Sequence, residues 1–169
     1  EFCVTGTNAS ITMKSDSSYN GEEVNRARVA VYIDSKKVRD VIIEKEETII
    51  PVFESEIEET HVVRVIKLSE APMSTCGISE INVTGRVWPT QQKEKFIEFI
   101  GDSITCAYGV DDENRDHHFS TGTEDVTKGY AYKTAENLDV DYSMVSFSGY
   151  GIVSGYTENG EKFDTQLVP

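Results

Sequence analysis

The residues with the clearest chemical potential are Gly101, Asp102 and Ser103, which directly follow an apolar segment at 96–100. That segment has the composition of a strand, and in an open α/β sheet functional groups collect at the carboxyl ends of strands. A serine at such a place becomes a nucleophile once a base removes its proton. If a helix begins there, its free N–H groups face any anion that forms. The alternative is that Ser103 only caps that helix, and the tripeptide alone leaves both interpretations open.

A second glycine-rich loop, beginning at Ser148 and Gly149, follows another predicted strand at 141–146. In a parallel sheet this loop can lie beside the first one. The backbone N–H of Gly149 could then join that of Ser103 in stabilising an oxyanion. Taken alone, the same loop would favour the interpretation of an ordinary turn between a strand and a helix.

The elements before this pair of loops have the pattern of short antiparallel strands. In the run at 28–33, for example, residues 29, 31 and 33 share one face, and turn signals such as the acidic stretch at 54–59 separate the runs. This pattern predicts a sandwich of two antiparallel sheets over residues 1–88. Pro51 interrupts one run and indicates an edge strand or a bulge. The predicted strands are 2–5, 10–14, 27–33, 37–43, 48–53, 61–68 and 78–83.

The composition changes after a predicted linker at 89–95, which has no periodicity and contains a proline. A strand at 95–100, a helix at 127–138 and a strand at 141–146 make the repeating unit of a parallel sheet with helical crossovers. The predicted fold class is therefore an N-terminal β-sandwich, residues 1–88, followed by the first part of an α/β domain with a parallel sheet, residues 96–169.

Charge excludes some classes of partner. The chain has 30 acidic and 16 basic residues and a formal net charge of −14. Such a field repels nucleic acid and anionic membrane surfaces, whereas a neutral sugar chain carries no such penalty. The apolar runs are also too short for a membrane-spanning helix.

The three cysteines, Cys3, Cys76 and Cys106, form neither a disulfide framework nor a CxxC metal motif. Buried free thiols are the default interpretation. A bridge between Cys3 and Cys76 remains possible if the sandwich brings them together.

Several stretches together resemble a known enzyme family. Residues 101–105 resemble the first sequence block of SGNH (GDSL-type) hydrolases, and Gly149 matches the glycine of their second block. More narrowly, the chain resembles the second family of carbohydrate esterases, and the sandwich fits this family more weakly at 31–34 and 61–70. The stretches that carry the narrower resemblance are 97–109, 123–125, 130–132 and 146–152.

The resemblance implies a jelly-roll-like β-sandwich before the hydrolase domain and the removal of acetyl groups from plant polysaccharides such as xylan or mannan. It implies that Ser103 is the nucleophile, that the N–H groups of Ser103 and Gly149 hold the oxyanion, that Asp102 supports the nucleophile, and that a histidine is the base. No metal or organic cofactor is implied. We expect a secreted, extracellular protein of bacterial origin.

One departure from the family pattern concerns the base. The family has its catalytic histidine, and an asparagine that is a third oxyanion donor, well downstream of the second block. Asn159 lacks the expected context, and the available histidines are His61 in a predicted strand and the pair His117 and His118 in a polar loop. We therefore expect that the chain is a truncated part of a longer precursor and is inactive alone, and that a further chain or segment completes the hydrolase domain.

Two other functions stay open on the sequence. The chain could be a non-catalytic carbohydrate-binding β-sandwich with an incomplete appendage, for which Trp88, Tyr19 and Tyr32 are the candidate sugar contacts. It could also be an SGNH lipase or thioesterase, although no apolar stretch suits a groove or lid for a long acyl chain.

Overall fold

The computed structural model describes residues 1–152 and 154–157, and the chain divides into two compact units. The first unit comprises Glu1–Leu68 and Met73–Gln91, and the second comprises Ser69–Pro72 and the chain from Gln92 onward. The boundary near residue 91 falls inside the predicted linker. The grouping of Ser69–Pro72 with the second unit has no counterpart in the sequence prediction.

The first unit is an antiparallel sheet with the strand order β3-β2-β4-β1-β5, and β6 also pairs with β1. Two short 3₁₀ turns are the only helical segments within residues 1–91, all of which are described. The strands are β1 (Phe2–Ser15), β2 (Arg28–Ile33), β3 (Lys36–Ile42), β4 (Glu47–Lys67), β5 (Cys76–Val83) and β6 (Arg86–Pro89).

The sandwich class is confirmed, but the strands are longer and fewer than predicted. β1 joins the two predicted strands at 2–5 and 10–14, and β4 runs through the acidic stretch at 54–59 that was predicted to be a turn. The expectation of two separate sheets is likewise wrong, because these long strands link all pairings into one hydrogen-bonded sheet. Pro89, the first residue of the predicted linker, belongs to β6, which pairs with the first residues of β1.

Irregularities in the long strands let the sheet bend around its core. The pairing of β1 with β4 shifts register between Gly6 and Asn8 and again between Ala9 and Ser10, and such bulges increase twist and turn corners. Pro51 lies opposite Ser10 at the second shift, which confirms the predicted bulge. The enclosed core consists of Phe2, Val4, Ala9, Ile11, Met13, Ala27, Val29, Val31, Ile43, Ile50, Val52 and Val63.

The second unit contains a pair of parallel strands with a helical connection. Strands β7 (Phe96–Gly101) and β8 (Asp141–Ser146) pair in parallel from Phe96 opposite Asp141 to Gly101 opposite Ser146. Between them lie α1 (Ser103–Cys106), two 3₁₀ turns and α2 (Tyr130–Leu138). The parallel strand–helix–strand unit is thus confirmed. α2 begins three residues later than predicted because residues 126–128 form a 3₁₀ turn that ends at Gly129.

All three cysteines lie in the described residues and are free thiols. Within the described residues, no helix has the length and apolar character that crossing a bilayer requires.

Candidate active site

Ser103 is the first residue of α1 and follows β7 by a single intervening residue, Asp102. The Asp102 side chain caps the helix by accepting a hydrogen bond of 3.0 Å from the N–H of Ile104, and Ser103 itself is half-buried. Among the described residues, no side chain or backbone group forms a hydrogen bond with the Ser103 hydroxyl. The cap is therefore supplied by Asp102, which leaves the Ser103 hydroxyl available for other chemistry.

Gly101 is required by close packing at the end of β7. A Cβ built at this position would overlap the Thr105 hydroxyl oxygen and lie 2.8 Å from Thr105 Cβ. The Thr105 hydroxyl in turn lies 2.9 Å from the Tyr130 hydroxyl, which links α1 to the start of α2. The sharp turn into Ser103 thus depends on a residue without a side chain.

The second loop starts beside the first. Phe147, just after β8, donates its N–H to the carbonyl oxygen of Gly101 at 3.2 Å. Gly149 adopts a φ of +80°, in the left-handed region that favours glycine, and its carbonyl oxygen accepts from the N–H of Tyr156 at 2.6 Å. The parallel register therefore places the loops of Ser103 and Gly149 at the same edge of the sheet.

Each histidine of the chain either forms a hydrogen bond with a carboxylate or is exposed. His61 lies in β4 of the first unit, where Nδ1 is 2.7 Å from the Asp34 carboxylate and Nε2 is 3.0 Å from the Glu59 carboxylate. In the second unit, His117 Nδ1 is 2.8 Å from the Asp112 carboxylate, and His118 is exposed. Asn159 lies outside the described residues. None of the described hydrogen bonds joins a histidine to Ser103.

A group of buried side chains that sequence reasoning missed lies behind the two loops. Glu70, Cys106 and Glu124 are 6%, 3% and 0% exposed, respectively. Glu70 Oε2 accepts the backbone N–H of Ser148 at 2.7 Å and lies 3.8 Å from Cys106 Sγ. Glu124 Oε2 accepts the backbone N–H of Glu70 at 2.9 Å. Nothing in the sequence separates these two glutamates from the rest of the chain's 30 acidic residues.

The two glutamates place negative charge in the interior behind the loops. Burial, together with the negative charges of Glu70 and Glu124, raises the pKa of the Cys106 thiol to about 12, although a hydrogen bond with Ser146 acts in the opposite direction. Burial and the same two carboxylates also raise the pKa of Tyr108. Cys106 is therefore a protonated thiol at neutral pH rather than a nucleophile.

The same group has the donor atoms of a metal site. One ligand atom from each of Glu70, Cys106 and Glu124 lies within 4.8 Å of the others. Two hydrogen-bond donors, the Ser148 N–H and the Cys106 thiol, already face one of these ligand atoms, Glu70 Oε2.

Comparison with known proteins identifies several that are similar to this chain. Over 63 residues the chain is 43% identical to the cellulase/esterase CelE of Acetivibrio thermocellus, covering 37% of this chain and 8% of that protein. Over 117 residues it is 33% identical to an acetylxylan esterase / glucomannan deacetylase of Cellvibrio japonicus, covering 64% and 31%, respectively. A solved family two carbohydrate esterase from Clostridium thermocellum, in complex with cellohexaose, matches with a TM-score of 0.79 and 26% identity, over 94% of this chain and 48% of that one.

The chain spans about half of that solved structure and less than a third of either curated relative. The sequence model of the family described as "Carbohydrate esterase 2 N-terminal" matches residues 1–91. This match covers more than half of the 169 residues, and the chain therefore belongs to carbohydrate esterase family 2.

Proposed function

We propose that this chain carries the nucleophile and two oxyanion donors of a serine esterase that removes O-acetyl groups from polysaccharides of the xylan or mannan type. The observation that carries the proposal is the register of β7 with β8, which sets the Ser103 and Gly149 loops at one edge of a parallel sheet. A relative named as an acetylxylan esterase / glucomannan deacetylase supports the substrate class.

In the proposed reaction, Ser103 Oγ bonds to the acetyl carbonyl carbon while its proton passes to a histidine base. The backbone N–H groups of Ser103 and Gly149 hold the oxyanion of the tetrahedral intermediate. Its collapse breaks the bond to the sugar oxygen, which takes the proton from the base. Water then attacks the acetylated Ser103, releases acetate and regenerates the hydroxyl.

We propose that the base comes from outside residues 1–169. His61 has a carboxylate at each ring nitrogen, and His117 is bonded to Asp112 in an exposed loop. Segments beyond this chain, or a second chain, would also add strands to the β7–β8 pair. Exposed apolar side chains on β7, with Phe96 62% and Ile100 51% exposed, are consistent with such an addition.

The net charge of −14 fits a neutral sugar polymer rather than an anionic substrate. Such polymers lie outside the cell, so we propose that the protein is secreted, by a bacterium like those of the curated relatives.

One observation favours sugar binding without chemistry as a second candidate function. Trp88 is 38% exposed on β6, with the Arg86 guanidinium 5.9 Å from its ring centroid, and the solved relative was obtained with cellohexaose. An exposed aromatic ring is a common sugar contact. This function predicts oligosaccharide binding that survives the loss of Ser103.

Replacement of Ser103 tests the proposed esterase. In the full-length protein, Ser103→Ala should lower kcat for p-nitrophenyl acetate by about a million-fold, as for loss of the nucleophile in other serine hydrolases. Ser143→Ala, at a half-buried serine of β8, is the matched control and should keep the activity. A Ser103→Ala variant with a tenth of wild-type activity would remove Ser103 from the mechanism, and faster turnover of octanoate than of acetate would favour a lipase.

The isolated chain tests where the base is. Residues 1–169 should show no Ser103-dependent hydrolysis of p-nitrophenyl acetate, because a serine hydroxyl without a base is a poor nucleophile. Clear Ser103-dependent turnover would instead identify His117 or His118 as the base.

A further inference from the structure

Glu70 bonds to the loop that contains Gly149, although it is 79 positions earlier in the chain. It belongs to Ser69–Pro72, the short segment that groups with the second unit. Its carboxylate accepts the N–H of Ser148 at 2.7 Å, within the range of charge-assisted hydrogen bonds. Ser148 immediately precedes Gly149, so this bond fixes one of the two peptide units that flank the Ser148 Cα.

The same oxygen of Glu70 also faces the helix that begins at Ser103. Cys106, in the last turn of α1, has its Sγ 3.8 Å from Glu70 Oε2. Because burial keeps the thiol protonated, its S–H is a weak donor toward the carboxylate. One oxygen atom therefore contacts both segments that carry the proposed oxyanion donors.

Glu70 is itself held in place. Its backbone N–H donates to Glu124 Oε2 at 2.9 Å, and Glu124 is fully buried just after the 3₁₀ turn at Thr121–Thr123. Burial of a carboxylate is unfavourable unless hydrogen bonds compensate it. Glu124 thus holds Glu70, and Glu70 holds the Ser148 loop. The two buried carboxylates, each hydrogen-bonded to a backbone N–H, connect three separate parts of the unit.

The charge of Glu70 cannot help the proposed reaction directly. A carboxylate close to a forming oxyanion repels it, so electrostatics alone would favour a neutral residue at this position. What the carboxylate supplies is an acceptor of fixed position for the Ser148 N–H.

We propose that Glu70 is a positioning residue of the oxyanion hole, whose carboxylate holds the Ser148–Gly149 segment against α1 so that the Gly149 N–H faces the carbonyl that Ser103 attacks. The inference rests on the proposed function, because it needs Gly149 as an oxyanion donor. It adds a residue from another part of the chain to the machinery of that site.

The decisive comparison is between Glu70→Gln and Glu70→Leu in the full-length protein. Gln keeps an acceptor oxygen at nearly the same place and removes the charge, so kcat for p-nitrophenyl acetate should stay within about threefold of wild type. Leu has a similar volume and no acceptor, so kcat should fall by about 10–100-fold while KM changes little.

Asp125→Leu is the matched control. Asp125 is fully buried in the same unit, and its side chain accepts from Thr127 N–H at 3.0 Å rather than from the Ser148 loop. Its loss should lower the melting temperature without lowering kcat per folded molecule. If Glu70→Leu does not fold, Glu70→Asp replaces it, since one methylene less withdraws the acceptor from Ser148 and should also lower kcat.

A readout independent of activity is the hydrogen exchange of the Ser148 amide, measured by NMR. Exchange should be slow in wild type and Glu70→Gln and at least about tenfold faster in Glu70→Leu. Chelation by EDTA should leave kcat unchanged, and a loss of activity on chelation would overturn the proposal by making Glu70 a metal ligand.

The two proposals fail in different ways. Full activity of Ser103→Ala would refute the esterase mechanism. Inactive Ser103→Ala together with wild-type kcat in Glu70→Leu would refute only the role of Glu70, as would equal losses of kcat in Glu70→Leu and Asp125→Leu.

Discussion

The backbone of Gly149 offers a direct test of the proposed oxyanion hole. Gly149 has a φ of +80°, and a Cβ at this position would meet only Tyr156 Cβ, at an ordinary distance of 3.9 Å. Gly149→Ala therefore introduces backbone strain and no steric clash. Relief of that strain requires rotation at residue 149, which turns the adjacent peptide groups away from their native directions.

The loss of stability from the strain and the loss of activity from the turned N–H group have different magnitudes. An L-residue in the left-handed region costs about 1–2 kcal/mol, which should appear as a loss of unfolding free energy. Loss of one oxyanion donor costs about 2.7–4 kcal/mol in the transition state. Because Ala keeps the N–H but turns it, we expect kcat to fall by about a hundredfold, at the low end of the range for a lost donor.

Gly109→Ala separates the two effects. Gly109 also has a positive φ, +61°, and a Cβ there would meet nothing within 4 Å. This variant should lose about the same 1–2 kcal/mol of stability as Gly149→Ala, with an unchanged kcat per folded molecule. Urea denaturation gives the first quantity, and initial rates on p-nitrophenyl acetate in the full-length protein give the second. Equal losses of kcat in the two variants would refute the assignment of Gly149 as a donor.

Two further predictions concern stability. Burial alone would lower the pKa of His61, but hydrogen bonds with the Asp34 and Glu59 carboxylates outweigh it and raise that pKa. Protonated His61 therefore stabilises the folded state. This contribution is full below about pH 6.5, the pKa of the unfolded state, and is lost as pH rises through the folded pKa. Across this range the unfolding free energy should fall in wild type by no more than about 1 kcal/mol, because the pair is partly exposed, and a His61→Gln variant with the same pH dependence would contradict the assignment. Gly101→Ala should lower the unfolding free energy by about 1–3 kcal/mol through overpacking against Thr105. The control is Gly77→Ala, where a Cβ meets nothing within 4 Å, and its unfolding free energy should stay within about 0.5 kcal/mol of wild type. Equal losses in the two variants on urea denaturation would show that local movement relieves the contact with Thr105.

The parallel half of the fold could be predicted because its signals are local. An apolar run that ends in Gly101 is a strand followed by a turn, and the residues of α2 repeat with helical spacing. A strand, a helix and a second strand in that order have few alternatives to a parallel pair. Even so, the sequence placed the start of α2 too early, because it gave no reason to expect a separate 3₁₀ turn before Gly129.

The long strands of the first unit could not be predicted in the same way. The stretch at 54–59 is rich in glutamate, which is depleted in strands, so the sequence alone favours a turn or loop there. In the structure this stretch continues β4, and Glu54, Glu56 and Glu58 are exposed on it. Their charge is compatible with this position because they remain solvated. β1 pairs with the two ends of the stretch, Glu54 and Glu59, and the register shifts between them, so the stretch is a bulge within a strand that pairing on either side determines.

Glu70 and Glu124 show a different limit of prediction. Each accepts a hydrogen bond from a backbone N–H that lies 54 or more residues away, and a backbone N–H has no sequence signature. A buried carboxylate can be recognised only when the fold reveals which N–H it faces.

The proposed site therefore depends on two kinds of residue, which differ in how well they can be recognised from the sequence. Ser103 is needed for its side chain, and the residues around it form a motif that can be recognised before the fold is known. The oxyanion donors, in contrast, are N–H groups that nearly every residue has, so what the sequence must encode is their direction. Gly149 encodes it through a positive φ, and we propose that Glu70 encodes it through an acceptor for the preceding peptide. If both proposals hold, the effects of Glu70→Leu and Gly149→Ala on kcat should be less than additive, because each change lets the same short segment turn away from its native orientation.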